Sequence, residues 1–448
     1  MFAFLYKFLM IVLAFVVPYL SGYFAVSLLE RNMELRFRIL FAIPMGFGIS
    51  SILYFLYLCC NFNHFPLFAI FETALAIVLC ILYYNEEKPD LSKHKFARLS
   101  GWFYLLNLYA VLIYLKYFII NPMGSWDGFR IWNIKAEFLF LDNPLWRNVF
   151  ELPHFMSHND YPMFLPSATA RIWGYLGGQD FTANMTLGLI FTFGLVYLLY
   201  QAIRYFKSEK VAVAVTSVFM ISDVFLVNGA AQCADIPLAY FFLCAIVSLF
   251  MFFKKETVSY LILGMIFAGL SIWVKNEGMM FFLIYAFVIL CYFIFSKKYK
   301  YALIAGGSVI PFVLLTVLYK KFTGSPNDLI MGFFLFKTWH FAFDIQRYIA
   351  ILKTFFTMLF TKFYIFFILA LLLTKGFRLK DKNKKAFWLS LAIFVLMSIG
   401  YFSVYLFSPH DIQWLVDNSL DRIVLQILPV FLFLFSINLR IGKPDTMN

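Results

Sequence analysis

The chain has 448 residues, of which 63% are hydrophobic and only 14% charged, with 60 Phe and a formal net charge of +13. This composition excludes a water-soluble globule, because the polar residues are too few to cover one. In a membrane protein, excess basic charge is read first as a topology signal and not as a nucleic-acid footprint.

Apolar windows of about twenty residues predict thirteen transmembrane helices, at 3–29, 38–60, 65–84, 100–120, 183–203, 211–228, 236–253, 258–274, 279–295, 302–319, 349–373, 387–406 and 423–438. The predicted fold class is therefore an all-α polytopic membrane protein. The first span carries only Lys7 and no small-residue cleavage site, so it is expected to be retained. The segment Lys337–Thr374 fits least well. Lys353 and Lys362 interrupt it, and part of it reads equally as an amphipathic helix lying at the interface.

Alternate connections are basic: Arg31, Arg36 and Arg38; Lys88 to Arg98; Arg204, Lys207 and Lys210; Lys254 and Lys255; Lys297 to Lys300; Lys375 to Lys385; Arg440 and Lys443. Together they hold 23 of the 37 Lys and Arg against nine acids, a net of +14, which leaves −1 for the rest of the chain. The positive-inside rule makes that side cytoplasmic. The N-terminus is then expected outside and the C-terminus inside, with a large extracytoplasmic loop at 121–182. The six Cys are scattered and give no disulfide framework or zinc spacing, and no Walker, dinucleotide-binding or HExxH pattern is present.

The polar residues that need explaining gather on the predicted outer side. Ser125-Trp126-Asp127-Gly128 follows the fourth span, with Arg130, Trp132 and Lys135 just beyond. Aromatic rings beside a carboxylate suit a sugar, whose C–H faces stack while its hydroxyls donate; an interfacial Trp anchor with a solvated Asp is the plain alternative. His158-Asn159-Asp160-Tyr161-Pro162, preceded by Pro153 and His154, is a shaped turn bearing a base and an acid, or else an ordinary Asx turn. Asp235 opens the seventh span in Gln232-Cys233-Ala234-Asp235-Ile236-Pro237 and is equally a helix cap. Lys275, in Trp273-Val274-Lys275-Asn276-Glu277-Gly278, is placed to neutralise a phosphate or to pair with Glu277. Arg422, after His410, Asp411, Trp414, Asp417 and Asp421, opens the last predicted span, where its fork suits a phosphate or a salt bridge. Only Glu72, Asp223 and Lys362 look deep, whereas a carrier places its ionisable groups at mid-membrane.

On the residues Trp126-Asp127, His158 to Pro162, Ala234 to Pro237, Lys275 to Gly278 and Arg422, the chain resembles the GT-C type of polytopic glycosyltransferases that use polyprenyl-phosphate sugars, a group that includes protein O-mannosyltransferases and the lipid A aminoarabinose transferase. The resemblance covers about 100–438. It leaves residues 1–99 as three additional helices and 439–448 as a short cytoplasmic tail.

The resemblance implies an inverting transfer from a polyprenyl-phosphate sugar to a glycan, lipid or protein acceptor. Asp127 would act as base, and Lys275 and Arg422 would hold the donor phosphate. Asp160, Asp235, His158 and Tyr161 would place the acceptor, with Trp126 and Trp132 stacking on sugar. A divalent cation, Mg or Mn, would sit on Asp127 and Asp235. Two departures from the family pattern stand out: Gly128 replaces the second acid of an acidic pair, and the loop follows the fourth span instead of the first. A surface-polysaccharide ligase or polymerase, and a lipid-linked glycan flippase, are the alternative readings.

Overall fold

An apolar run as long as a bilayer is thick folds as a helix, since in lipid every backbone group must be satisfied within its own segment. The structure, a computed structural model, describes residues 2–62, 64–86, 101–141, 145–152, 158–324, 338–366, 368, 376 and 381–440. Every regular element among them is helical. In order they are α1 (Phe2–Leu29), α2 (Leu35–Cys59), α3 (Phe65–Glu86), α4 (Gly101–Ile120), α5 (Ile134–Phe140), α6 (Phe164–Leu176), α7 (Phe181–Phe206), α8 (Glu209–Ile221), α9 (Asp223–Ala230), α10 (Asp235–Lys255), α11 (Val258–Ser271), α12 (Asn276–Phe295), α13 (Tyr299–Thr323), α14 (Ile345–Thr361), α15 (Lys384–Phe407) and α16 (Ile412–Asn438). Lys88 to Arg98, Pro153, His154, Lys375, Arg378, Lys380 and Lys443 lie outside the described residues.

Ten of these helices are long and apolar enough to cross a membrane, so the chain is a multi-pass membrane protein. The other three of the thirteen expected spans look different. The sixth is broken at Ser222 into α8 and α9, which bend by 63°. The eighth is the 14-residue α11, and in the eleventh α14 ends at Thr361, followed by a turn at Lys362 and Phe363, with part of the predicted span outside the described residues.

Packing follows the distribution of apolar faces. The window of α10 is 94% buried and that of α13 only 6%, so the first is the hub and the second lies at the periphery. A helix apolar on every side is what a hub requires. Residues of α1, α2 and α3 join the same continuous core as the later helices.

Glu72 is deep, as expected, but it is not available to a cargo. Arg171 of α6 bonds it at 2.8 Å, Tyr175 donates to it at 2.9 Å, and the Ser50 hydroxyl takes its other oxygen. Arg171 also reaches the carbonyl oxygen of Ala14, so one buried ion pair ties α1, α2, α3 and α6 together. Asp223 is exposed, and Lys362 pairs with Asp421 at 2.8 Å with its own side chain 46% exposed. None of the three forms a mid-bundle relay.

The two ends of the bundle differ. At one, Arg36 donates to Gln201 at 3.4 Å, Lys254 stands 3.6 Å over the Tyr205 ring, and Lys207 donates to the Leu439 carbonyl. At the other, Lys7 pairs with Asp180 at 3.3 Å, and the polar sequences that follow α4, precede α10 and join α11 to α12 come together.

Candidate active site

The site begins with the turn after α4. Ser125 caps a short helix by accepting Gly128 N–H on its hydroxyl at 3.1 Å, and its own N–H donates to the Ala231 carbonyl at 3.0 Å. The helix winds as a π-turn over Gly128–Asn133 before continuing as α5, so Asp127 lies in its first turn, where a carboxylate is favoured. Gly128 is needed because a Cβ there would stand 2.2 Å from the Ala231 carbonyl oxygen. Amides lock the same join from the other side. Asn133 donates to the Met123 carbonyl at 2.9 Å and to Gln232 Oε1 at 2.8 Å, while Gln232 donates to the Pro122 carbonyl at 2.8 Å.

Arg422 approaches Asp127 from α16. This helix starts at Ile412, capped by Asp411 through Trp414 N–H at 2.8 Å, so Arg422 sits in its third turn and not at its start. The polar run 412–421, which lies ahead of the predicted last span, is helix. Nη1 of Arg422 bonds Asp127 Oδ2, and the two side chains are 24% and 23% exposed, so this pair can be reached by a ligand. Nη2 donates to the Asn418 carbonyl at 3.2 Å.

One turn below Arg422 on the same face, Gln426 donates to Asp235 Oδ1 at 2.6 Å and accepts from the Tyr401 hydroxyl at 2.6 Å. Asp235 Oδ1 also receives Lys275 Nζ at 2.9 Å, and the Asp235 and Asp127 carboxylates both act on Arg422. Lys275 stands 2.9 Å from Glu277 Oε1 as well. Burial alone would lower the Lys275 pKa, but Asp235 and Glu277 outweigh it and hold the ammonium well above its usual value. Gly278 makes this turn possible, since a Cβ there would overlap the Ser271 carbonyl at 1.8 Å.

Beside Lys275 the turn 158–161 is clamped by three elements. Lys135 donates to the His158 carbonyl at 2.7 Å, Lys320 to the Asp160 carbonyl at 3.0 Å, and Asn276 to Asp160 Oδ2. The Tyr161 ring stacks on Trp132 at 5.6 Å and on His158 at 5.1 Å, and Lys275 Nζ lies 5.7 Å from its centroid. Burial pushes the Lys135 amine down to about 7, against the pull of Asp160 and with the push of Lys320, and burial raises the Tyr161 hydroxyl.

The structure thus brings Asp127, Arg422, Asp235 and Lys275 into one cluster, with Asp160, His158 and Tyr161 on its flank. Three expected roles change. Trp132 is 2% exposed under Tyr161, so it braces the turn and presents no face to a sugar. Trp126 is 63% exposed and keeps that face. Lys275 is buried between two carboxylates, which leaves it no charge for a phosphate; it neutralises Asp235 instead. Asp160 is fully buried and fixes the turn.

Asp127 and Asp235, the pair expected to carry a divalent cation, are each paired with a cationic side chain, Arg422 and Lys275. Among the described residues no group of three or more His, Cys, Asp and Glu gathers to hold one.

Sequence reasoning missed Gln426, Tyr401, Asn276 and the clamp by Lys135 and Lys320. Gln426 had a signal, as a lone amide inside an apolar span. No protein-family model matches the chain, and no curated protein or solved structure matches it.

Proposed function

We propose that this multi-pass protein is an inverting glycosyltransferase that moves a sugar from a polyprenyl phosphate to a glycan, lipid or protein acceptor at the extracytoplasmic face of the plasma membrane. The observation that carries the reading is the accessible Asp127–Arg422 pair, built from residues 295 apart over a buried Asp235–Lys275–Gln426 support. A carboxylate and a guanidinium at one end of apolar helices are what a lipid-phosphate leaving group and an acceptor hydroxyl require.

In the proposed reaction the acceptor oxygen attacks the anomeric carbon, its proton passes to Asp127, and the carbon–phosphate oxygen bond breaks with inversion. Arg422 takes the charge that develops on the departing polyprenyl phosphate. Its five N–H donors allow it to engage phosphate oxygens. The guanidinium turns from Asp127 to the phosphate and leaves the carboxylate free to meet the acceptor hydroxyl. Lys275 and Gln426 keep Asp235 ionised and fixed beside Arg422.

The basic end of the bundle supports an outward-facing site under the positive-inside rule. Lys7 lies at the site end and Leu439 at the basic end, which fits an outward N-terminus, an inward C-terminus and an odd number of crossings. Taking α8 with α9 as one crossing gives eleven, an odd number. The stretch 121–182 is then the extracytoplasmic segment.

Purified protein in detergent, given a polyprenyl-phosphate sugar and an acceptor extract, is expected to form a new glycosidic bond with inverted anomeric configuration. A flippase forms none. Absence of transfer for every donor offered, with lipid movement intact in vesicles, would replace the transferase reading by the carrier one.

A further inference from the structure

Exposed tryptophans near helix starts are of two kinds in this chain. Trp102 and Trp388, 78% and 62% exposed, open α4 and α15, whose apolar runs begin at once, as interfacial anchors do. Trp414 is 59% exposed and differently placed. Between it and the apolar run of α16 that begins at Ile423 stand Asp417, Asn418, Asp421 and Arg422. Two helical turns put it about 12 Å beyond Arg422, on the side away from that apolar run. A bare indole face among charged and amide side chains calls for a partner.

The same helix ridge joins it to the proposed site. Trp414, Asn418, Arg422 and Gln426 recur every fourth residue. Arg422 Nη2 donates to the Asn418 carbonyl at 3.2 Å, and Asn418 Nδ2 donates to the Trp414 carbonyl at 2.7 Å. Asn418 is exposed and keeps its second N–H and its side-chain oxygen for a ligand. Asp417, also exposed, flanks the indole on the other side around the helix and accepts Gln413 Nε2 at 3.0 Å. His410 stands at the outer end, its ring 6.2 Å from that of Trp414 and tilted by 54°.

A flat apolar face bordered by an amide and a carboxylate is complementary to a sugar ring. The C–H face of the sugar packs on the negative π face, and its hydroxyls pair with Asn418 and donate to Asp417. The common modes of peptide recognition use a sheet edge or a groove; one ridge of one helix is neither. We infer that the acceptor is a glycan of at least two sugar residues, with an inner ring stacked on Trp414 and bonded to Asn418 and Asp417 while the terminal ring presents its hydroxyl to Asp127. The inference rests on the transferase reading above and narrows its acceptor to a glycan.

Binding tests it apart from turnover. The full chain in lipid nanodiscs is titrated with short hexose and N-acetylhexosamine oligosaccharides and with their terminal monosaccharides, each free and as the dodecyl glycoside. At least one free oligosaccharide is expected to bind about tenfold more tightly than its terminal monosaccharide. Trp414→Ala is expected to lose that gain, and Trp414→Phe, which keeps an aromatic face, to retain most of it. A panel without any such gain, a gain that survives in Trp414→Ala, or a gain confined to the dodecyl glycosides would each overturn the inference. The wild type supplies a further arm: the emission that Trp414→Phe removes is expected to be quenched by aqueous iodide and not by brominated lipid. The reverse would make Trp414 a membrane anchor. Transfer from farnesyl-phosphate sugars is scored separately. A Trp414-dependent gain without transfer by the wild type would sink the transferase reading and leave the glycan subsite standing; equal transfer to monosaccharides and oligosaccharides would do the opposite.

Discussion

Lys275→Met separates the bracing role found for this lysine from the phosphate-binding role that its sequence context suggests. The ammonium stands 2.9 Å from both Asp235 and Glu277, with side-chain exposures of 9%, 1% and 15%. Removing it leaves two carboxylates facing each other with Arg422 as the nearest cation. Breaking a buried pair in this way costs about 3–5 kcal/mol, here towards the lower figure because Glu277 can rehydrate. The assay is unfolding in mixed micelles, for Lys275→Met, Asp235→Asn and the double variant. The double variant is expected to be less destabilised than the two single effects added together, with a coupling of at least about 1 kcal/mol. The Lys275 pKa is raised in the folded state, so its contribution is fully present below its ordinary value of 10.5 and is lost only as pH rises through the higher folded value. The penalty should therefore be constant between about pH 5 and 9. A Lys275→Met protein that melts like the wild type while losing affinity for farnesyl phosphate would refute the brace and restore the phosphate role.

Gly128→Ala puts a methyl 2.2 Å from the Ala231 carbonyl and displaces the turn that carries Asp127. It is expected to cost about 1–3 kcal/mol and to lower transfer well beyond that loss of folded protein; wild-type transfer would contradict it. Lys135 has its folded pKa lowered from 10.5 to about 7, so the unfolded chain binds the extra proton between these values and stability rises with pH across that window. Lys135→Met should flatten this slope, at most about 1.4 kcal/mol per pH unit, in melts between about pH 7 and 9; an unchanged slope would refute the assignment. Glu72→Ala strands Arg171 in the core and is expected to cost about 3–5 kcal/mol, whereas Glu72→Ala with Arg171→Met should recover much of it; measured expression and melting that do not recover would argue against the pair.

The apolar spans were legible because their signal is local: about twenty residues of side chain decide each one. The break at Ser222 was not, since 211–228 reads as one apolar run and only its packing bends it. Long-range pairing was invisible. Nothing near Asp127 names Arg422, and Lys275 announces Glu277, two residues away, but not Asp235, forty residues back. Trp132 looked like a sugar platform because an aromatic near an acid has that chemistry; stacking beneath Tyr161 removes its exposed face. Arg422 was read as a helix start because 412–421 is polar, yet Asp411 caps a helix there whose first three turns carry that polarity.

The central claim is that Asp127 takes the acceptor proton, and Asp127→Asn tests it most directly, because Asn keeps the shape of the side chain and removes its basicity. Transfer and farnesyl phosphate binding are measured on the same purified samples. The account predicts normal folding, retained lipid phosphate binding through Arg422, and loss of transfer. Asp127→Asn protein that still transfers sugar at a substantial fraction of the wild-type rate would contradict it.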